Sequence, residues 1–451
     1  MNRRNFLSKT IPLPLGLVGA GLTGLTLSTD TISSSFADYK ALVIVFLNGG
    51  NDGNNVLVPT DSAYLDYANI RGNLALSKNE LLSLKGTSIG HSFGIHPALS
   101  DLANIYNRNR LAFISNVGPL IKPVNAKDVR NGNVEVPSFL YSHTDQTDIQ
   151  LGWQCGVDQS GWAGRAIDLL PFKGPITGVS LSHRKTLVTG NTYSPAFAEK
   201  NGNGKWGQDA DLTNDSNQYT QILKSISRIS NQNIYSQQYA VDMQASIEQS
   251  SLLAKAYALG AESSVNFSGD ELSTSLKYLS RILPILKSSS NQRQVFYVEF
   301  GEFDTHSGQR GLSSNLSQDS QLIAVNNALA SFDNALISAG ISQNVTTLVM
   351  SEFSRTLKPA AGNGSDHAWG NHWWLFGDAV SGGKVYGDFP SLVLNGVNDA
   401  DPNGNGRFAP TTATDQVAST LLKWLDISSG TINNALPNLK NFNNLDLGLF
   451  V

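Results

Sequence analysis

The chain has 451 residues, 40% of them hydrophobic and only 15% charged, with a formal net charge of -4. That length and apolar content suffice for one large or two medium domains with substantial cores. The absence of basic runs with interleaved aromatics excludes the electrostatic footprint of a nucleic-acid binder, and the single cysteine, Cys155, excludes an intramolecular disulfide or a cysteine-cluster metal site and is expected as a buried, inert thiol.

In chain order, "MNRRNFLSK" sets Arg3 and Arg4 before a moderately apolar, Gly-rich stretch, "IPLPLGLVGAGLTGLTLS". This is the layout of a twin-arginine export signal. Two prolines and four glycines make it a poor membrane-spanning helix. Small residues in "SFA" place the expected cleavage after Ala37, so residues 1–37 read as the signal and 38–451 as one mature domain. The expected location is periplasmic or extracellular, with the twin-arginine translocon as the partner during export. An amide-rich, weakly charged surface fits that setting.

The mature chain opens with "ALVIVFL" (41–47), a continuous apolar run that predicts a strand buried on both faces of a parallel sheet. Further strands are expected in the runs 111–118, 176–182, 294–300, 345–353 and 391–396. Apolar residues three and four apart predict helices at 96–108, 275–289, 320–340 and 414–427. The alternation implies an α/β three-layer sandwich, a mostly parallel sheet with helices on both faces. Residues 190–270 begin as a polar loop and continue as amphipathic helix without a clear strand, and read as a helical insertion packed on that sheet.

Ligands of open α/β sheets bind beyond the carboxyl ends of the strands, and those positions carry most of the chemistry here. "NGGNDGNN" presents Asp52, "EFGEFDTH" presents Glu302, Asp304 and His306, "SEFSRT" presents Glu352 and Arg355, and "NGSDHAWGNHWW" presents Asp366, His367 and His372. Imidazole and carboxylate are ligands of zinc, and carboxylates with asparagine suit manganese or calcium, so one or two divalent ions are expected at this rim. Each motif has a plainer reading: Asp52 as a turn stabiliser, Glu352 paired with Arg355, and His367 and His372 bonded to backbone beside the tryptophans. A second candidate, "DADPNGNGRFAP" (399–410), opens like a calcium loop, but Pro410 stands where the bidentate Glu belongs, so a polar turn is preferred.

Taken together, "FLNGGNDGNNVLVPT", "SHTDQTDIQLGW", "GWAGRAIDLL", "FGEFDTHSGQ", "SEFSRT", "SDHAWGNHWWLFGDAVSGGKVYG" and "GRFAPTTATDQVASTLLKWLDI" occur in the order found in the exported family called domain of unknown function 1501, which the chain resembles over nearly all of its mature length. That family is similar in fold to the alkaline phosphatase and sulfatase superfamily. The resemblance implies Asp52 as a first-strand metal ligand, Asp304 and His306 as an Asp and His pair, Glu352 as a further ligand, and His367 or His372 as the last histidine. It implies a nucleophile in "PSFLYSHTDQTD", where Ser138, Ser142 and Thr144 stand; Ser142 is preferred, with a helix cap as the alternative. Arg355, Asn51 and Asn54 are expected to position the substrate anion.

Two departures stand out. Asp304 and His306 have one residue between them where the superfamily has three, and Phe353 follows Glu352 where a histidine ligand belongs, which leaves one of two metal sites incomplete. The expected function is therefore hydrolysis of a small anionic phosphate or sulfate ester with a divalent metal, zinc or manganese. The alternative is a non-catalytic envelope protein on the same scaffold that binds a surface polymer, with Trp369, Trp373 and Trp374 as an aromatic platform.

Overall fold

The computed structural model describes residues 36–86, 88–152, 159–200, 202, 205–206, 210–228, 233–289 and 292–451. The expected export signal up to Ser35, and Cys155, lie outside them.

A nine-stranded sheet organises the chain. Its strands are β1 (Lys40–Leu47), β2 (Leu111–Gly118), β3 (Gly178–Ser180), β4 (Ala196–Phe197), β5 (Arg293–Phe300), β6 (Val345–Met350), β7 (Asn371–Phe376), β8 (Lys384–Tyr386) and β9 (Thr412–Ala413). The order is β8-β2-β7-β6-β1-β5-β3-β4, with β9 paired to β2. Every pairing is parallel except the two made by β7.

The central strand shows why the sheet is covered on both faces. Side chains alternate along a strand: Ala41, Val43, Val45 and Leu47 enter one apolar cluster, and Leu42, Ile44 and Phe46 enter another. The first cluster is closed by α1 (Ser100–Asn107), α6 (Glu271–Ser289) and α7 (Gln318–Ser338), through residues such as Leu279, Leu283, Val325 and Phe332. The second is closed by α3 (Trp162–Asp168) and α8 (Thr414–Trp424), through Ala166, Ile167, Val417 and Leu421. Each fully buried Leu, Ile, Val or Phe contributes about 1.5–3 kcal/mol relative to exposure, and β1 alone supplies six from Leu42 to Leu47. The result is the α/β three-layer sandwich that the apolar runs and the family resemblance imply. No helix among the described residues is long and apolar enough to cross a membrane.

Two expectations need correcting. The run at 391–396 is loop, because Ser391 and Asn395 direct their N–H groups to the side chains of Asn398 and Asp399 rather than to a neighbouring strand. The segment 190–270 does carry helices, α4 (Gln218–Ile226) and α5 (Ile234–Leu259), yet it also supplies β4 at the sheet edge and a short antiparallel pair, Lys205–Trp206 with Ala210–Asp211.

Candidate metal centre

The loops after β1, β5 and β6 meet at the carboxyl end of the sheet. Asn48 donates to the carbonyl of Phe300 and accepts from the N–H of Phe303, at 3.0 and 2.7 Å. Gly49 and Gly50 have positive φ, and there is no room for side chains: a Cβ would meet the Asp304 nitrogen at 2.4 Å from Gly49 and the Phe353 ring at 2.3 Å from Gly50. This close approach brings the 301–306 and 352–355 loops together.

Helix α2 (His143–Gln150) starts beside them, capped by Ser142, whose hydroxyl accepts from the Asp145 N–H and lies 2.5 Å from its carboxylate. The buried face of α2 is polar. Gln146 and Gln150 both donate to the carbonyl of Glu352 at 3.0 Å, and Gln146 accepts from the N–H of Tyr141 at 2.8 Å. Phe139 and Tyr141 hold left-handed backbone conformations just before the helix. Such positions cost on the order of 1–3 kcal/mol each, and here they aim the Tyr141 carbonyl at His367.

Three of the seven histidines converge with Asp304 at this point. His143 Nε2 lies 3.1 Å from His367 Nε2, and each lies 3.4 Å from Asp304 Oδ1. His306 Nε2 adjoins the same edge, 2.9 Å from His367 Nε2 and 3.0 Å from Asp304 Oδ1. The other ring nitrogen of each histidine faces an oxygen that only accepts. His143 Nδ1 is 2.8 Å from Glu352 Oε1, His367 Nδ1 is 2.7 Å from the Tyr141 carbonyl, and His306 Nδ1 is 3.2 Å from Asp366 Oδ1. Each Nδ1 therefore carries the hydrogen, and in the neutral ring each Nε2 presents a lone pair to the shared point.

Lone pairs this close repel unless a cation lies between them. The triangle His143, Asp304, His367 has edges of 3.1 to 3.4 Å, and a tetrahedral zinc ion with bonds of about 2.0–2.1 Å separates its ligands by roughly 3.3 Å. The donor set and its dimensions thus fit a divalent cation held by His143, Asp304 and His367, with His306 alongside.

Burial pushes the Asp304 carboxyl up, but the hydrogen bond and charge of Arg355 more than offset this and hold it below the usual carboxylate range. The hydrogen bond to Glu352 raises the pKa of His143, whereas burial lowers that of His367, which favours its neutral ring.

The remaining expected residues take other positions. Asp52 is buried, ion-paired with Arg71, bonded to Gln309 at 2.6 Å, and accepts the Asn54 N–H, so it stabilises its turn and does not reach the cluster. His372 is buried among Ser115, Asn116 and the stacked ring of Phe389. Glu352 stands behind His143 as its hydrogen-bond partner, not among the converging atoms, with the Gly49 N–H 2.8 Å from the same oxygen. Arg355 is fully buried: it donates to the carbonyls of Gly50, Ser365 and Gly49 at 3.0, 2.9 and 2.7 Å, and pairs with Asp304. Its fork fastens loops and is not free to clamp a substrate. Asn51 and Asn54 are buried and bonded within the protein.

Trp369, Trp373 and Trp374 are 0–1% exposed, which removes them as a binding platform. In the 399–407 turn, Asp399 accepts backbone N–H groups from Asn395, Asp401, Gly406 and Arg407, and Asp401 accepts from Asn403 and Asn405. These donors occupy the carboxylates that calcium would need.

His143 is the site residue that the sequence did not reveal. It directly follows Ser142 in "PSFLYSHTDQTD", away from the strand ends where the other candidates stand. A cavity of about 340 Å³ opens over the cluster, lined by His143, Thr144, Thr147, Arg184, Asp304 and Glu352 among others. Thr144 faces this space; Ser142 does not line it.

Several solved structures are similar to this chain at low identity. They include Ps i-CgsB in complex with k-i-k-neocarrahexaose (12% identity, covering 90% of this chain and 78% of that one, TM-score 0.33). Others are the lipoteichoic acid synthase LtaP from Listeria monocytogenes (9%, 87% and 74%, TM-score 0.34) and a protein in the alkaline phosphatase superfamily from Vibrio parahaemolyticus (9%, 87% and 67%, TM-score 0.35). No curated protein matches the sequence. Residues 39–403 match the family described as protein of unknown function, DUF1501, and the chain belongs to that family.

Proposed function

We propose that this chain is an exported, metal-dependent hydrolase of phosphate or sulfate esters. The observation that carries the reading is the convergence of histidine Nε2 atoms, each fixed through its Nδ1–H, on Asp304 beneath an open cavity. The nitrogen-rich donor set favours zinc over manganese. When bound, such an ion supplies Lewis-acid polarisation of an ester oxygen and neutralises charge developing there.

The chain's own residues then have distinct tasks. The first N–H groups of α2, at His143 and Thr144, have no helical carbonyl four residues back and form the positive end of the helix dipole, a favourable place for anionic ester oxygens. Thr144 lines the cavity and is the candidate nucleophile through its hydroxyl; Ser142 caps the helix instead. Arg355 and Glu352 position Asp304 and His143 without touching substrate.

A second reading, a single-ion protein without turnover, draws on Phe353. Its ring is buried against both histidines, with centroids 4.7 Å from His367 and 4.8 Å from His143. It fills the space where a second ion's ligand would stand.

Elemental analysis of the folded, signal-free protein tests the centre. One equivalent of metal is expected in the wild type, with stoichiometric binding lost in His143→Ala, Asp304→Ala and His367→Ala. Turnover of 4-nitrophenyl phosphate or sulfate by the loaded wild type then separates the two readings. A metal-free wild type, or a folded His143→Ala variant that keeps the ion, sinks the proposal.

A further inference from the structure

The cavity over the cluster does not end there. It shares Asn48 and Gly301 with a second groove of about 590 Å³ that runs past the carboxyl ends of β3, β4 and β5. Two features of this groove are informative together. Phe197, the last residue of β4, is 49% exposed and lies nearly parallel to His183, with centroids 6.3 Å apart and planes 17° apart. A strand end that leaves such a ring in solvent forms a flat apolar platform in the groove.

The charge around it is one-sided. Glu199, Glu271 and Glu299 line the groove, and Glu302 lines the adjoining cavity. The cations, Arg184 and Lys200, are both engaged: Lys200 with Glu271 at 2.6 Å, and Arg184 with Asp148 and Glu299 at 2.5 and 3.4 Å. Glu199 and Glu302 have no cationic partner among the described residues. A polyanion entering here meets unpaired carboxylates, whereas an ammonium or hydroxyl group finds acceptors. A flat ring flanked by carboxylates suits a pyranose, whose C–H face packs on the ring while its polar groups reach the acids.

We propose that this groove binds an amine-bearing oligosaccharide, stacked on Phe197 and held by Glu199 and Glu302. That the sugar is the alcohol part of the ester rests on the hydrolase reading; the binding itself does not.

The test is calorimetric binding of chitosan hexasaccharide, cellohexaose and a heparin hexasaccharide to the folded mature protein in weakly acidic buffer. Chitosan hexasaccharide is expected to bind about 10-fold or more tightly than cellohexaose, with heparin weakest. Phe197→Ala is expected to weaken chitosan binding about 10-fold, and Glu199→Gln with Glu302→Gln to bring chitosan hexasaccharide and cellohexaose to similar affinity. Asp304→Ala is expected to keep the binding. Equal affinity of the wild type for chitosan and cellohexaose, tighter binding of heparin, no binding, or loss of binding in folded Asp304→Ala each overturns the assignment. Ester turnover without oligosaccharide binding removes the groove and leaves the metal centre; oligosaccharide binding without turnover removes the hydrolase and leaves the groove.

Discussion

One oxygen of Glu352 accepts from two donors, the Gly49 N–H and His143 Nδ1–H, so it fixes both the loop after β1 and the tautomer of a candidate ligand. A carboxylate behind a ligating imidazole raises its basicity as well as orienting it. Glu352→Gln keeps an acceptor oxygen but not the charge. It is expected to weaken metal binding about 10–100-fold with little loss of fold, read by competition against a chelator. An unchanged dissociation constant assigns Glu352 to loop packing alone.

His372 has the opposite role. Burial pushes its pKa down to about 3, so the folded protein holds it neutral, accepting from the Asn116 N–H. The unfolded chain protonates it below about pH 6.5. Its stabilising effect is therefore complete above that pH and is lost at about 1.4 kcal/mol per unit as pH falls toward 3. His372→Asn, which retains an acceptor near Nδ1, is expected to shrink the difference in unfolding free energy between pH 7.5 and 5 by about 2 kcal/mol; denaturant titrations at the two pH values measure it. Within one histidine-rich turn, then, His367 is a ligand candidate and His372 a core residue. The sequence left both open because burial depends on strands β2 and β7 meeting, which no local pattern reports. His143 escaped for a similar reason: its partners Glu352 and His367 lie 209 and 224 residues away.

The helix that carries His143 is unusual among these elements because its buried face is polar. Gln146, Thr147 and Gln150 are buried where other helices present leucine or alanine. A helix docked by amides rather than by apolar area is placed precisely by few contacts, and each matters more. Gln146→Ala removes an acceptor from the Tyr141 N–H and a donor to the Glu352 carbonyl. Gln150 still donates to that carbonyl, but the Tyr141 N–H is left unpaired at a cost of about 1–3 kcal/mol, and the loop that aims Tyr141 at His367 loses its hold. The expected result is a lower midpoint of thermal unfolding together with weaker metal binding, whereas Ile149→Ala on the same helix shifts only the former. Elements with apolar periodicity were legible as sequence: β1, β2, β5, β6, α7 and α8 fall where their patterns place them. Helix α2 was not, since "HTDQTDIQ" has too few apolar residues to show a period. The 391–396 run misled in the other direction, its alternating Leu392 and Leu394 packing under a loop.

Across the whole molecule, the candidate ligands come from three separate segments, the start of helix α2 at His143 and the loops that hold Asp304 and His367, which meet only when the sheet is assembled. The unfolded chain therefore has no comparable site, and a bound ion stabilises the native state by RT ln(1 + [L]/Kd), about 4 kcal/mol at a thousandfold excess over Kd. On the proposed function, loading follows folding. An export route for folded proteins permits loading before the membrane is crossed, and this is how we connect the Arg3–Arg4 pair to the metal centre. Replacing both arginines by lysine is expected to retain the full-length chain inside the cell, folded and carrying its metal, while the unaltered chain is recovered outside the cytoplasm. Fractionation with metal analysis of each fraction measures both quantities. Equal export of the double-lysine chain removes the twin-arginine assignment. Retention in a metal-free but folded state keeps the route and shows that the ion is acquired after export.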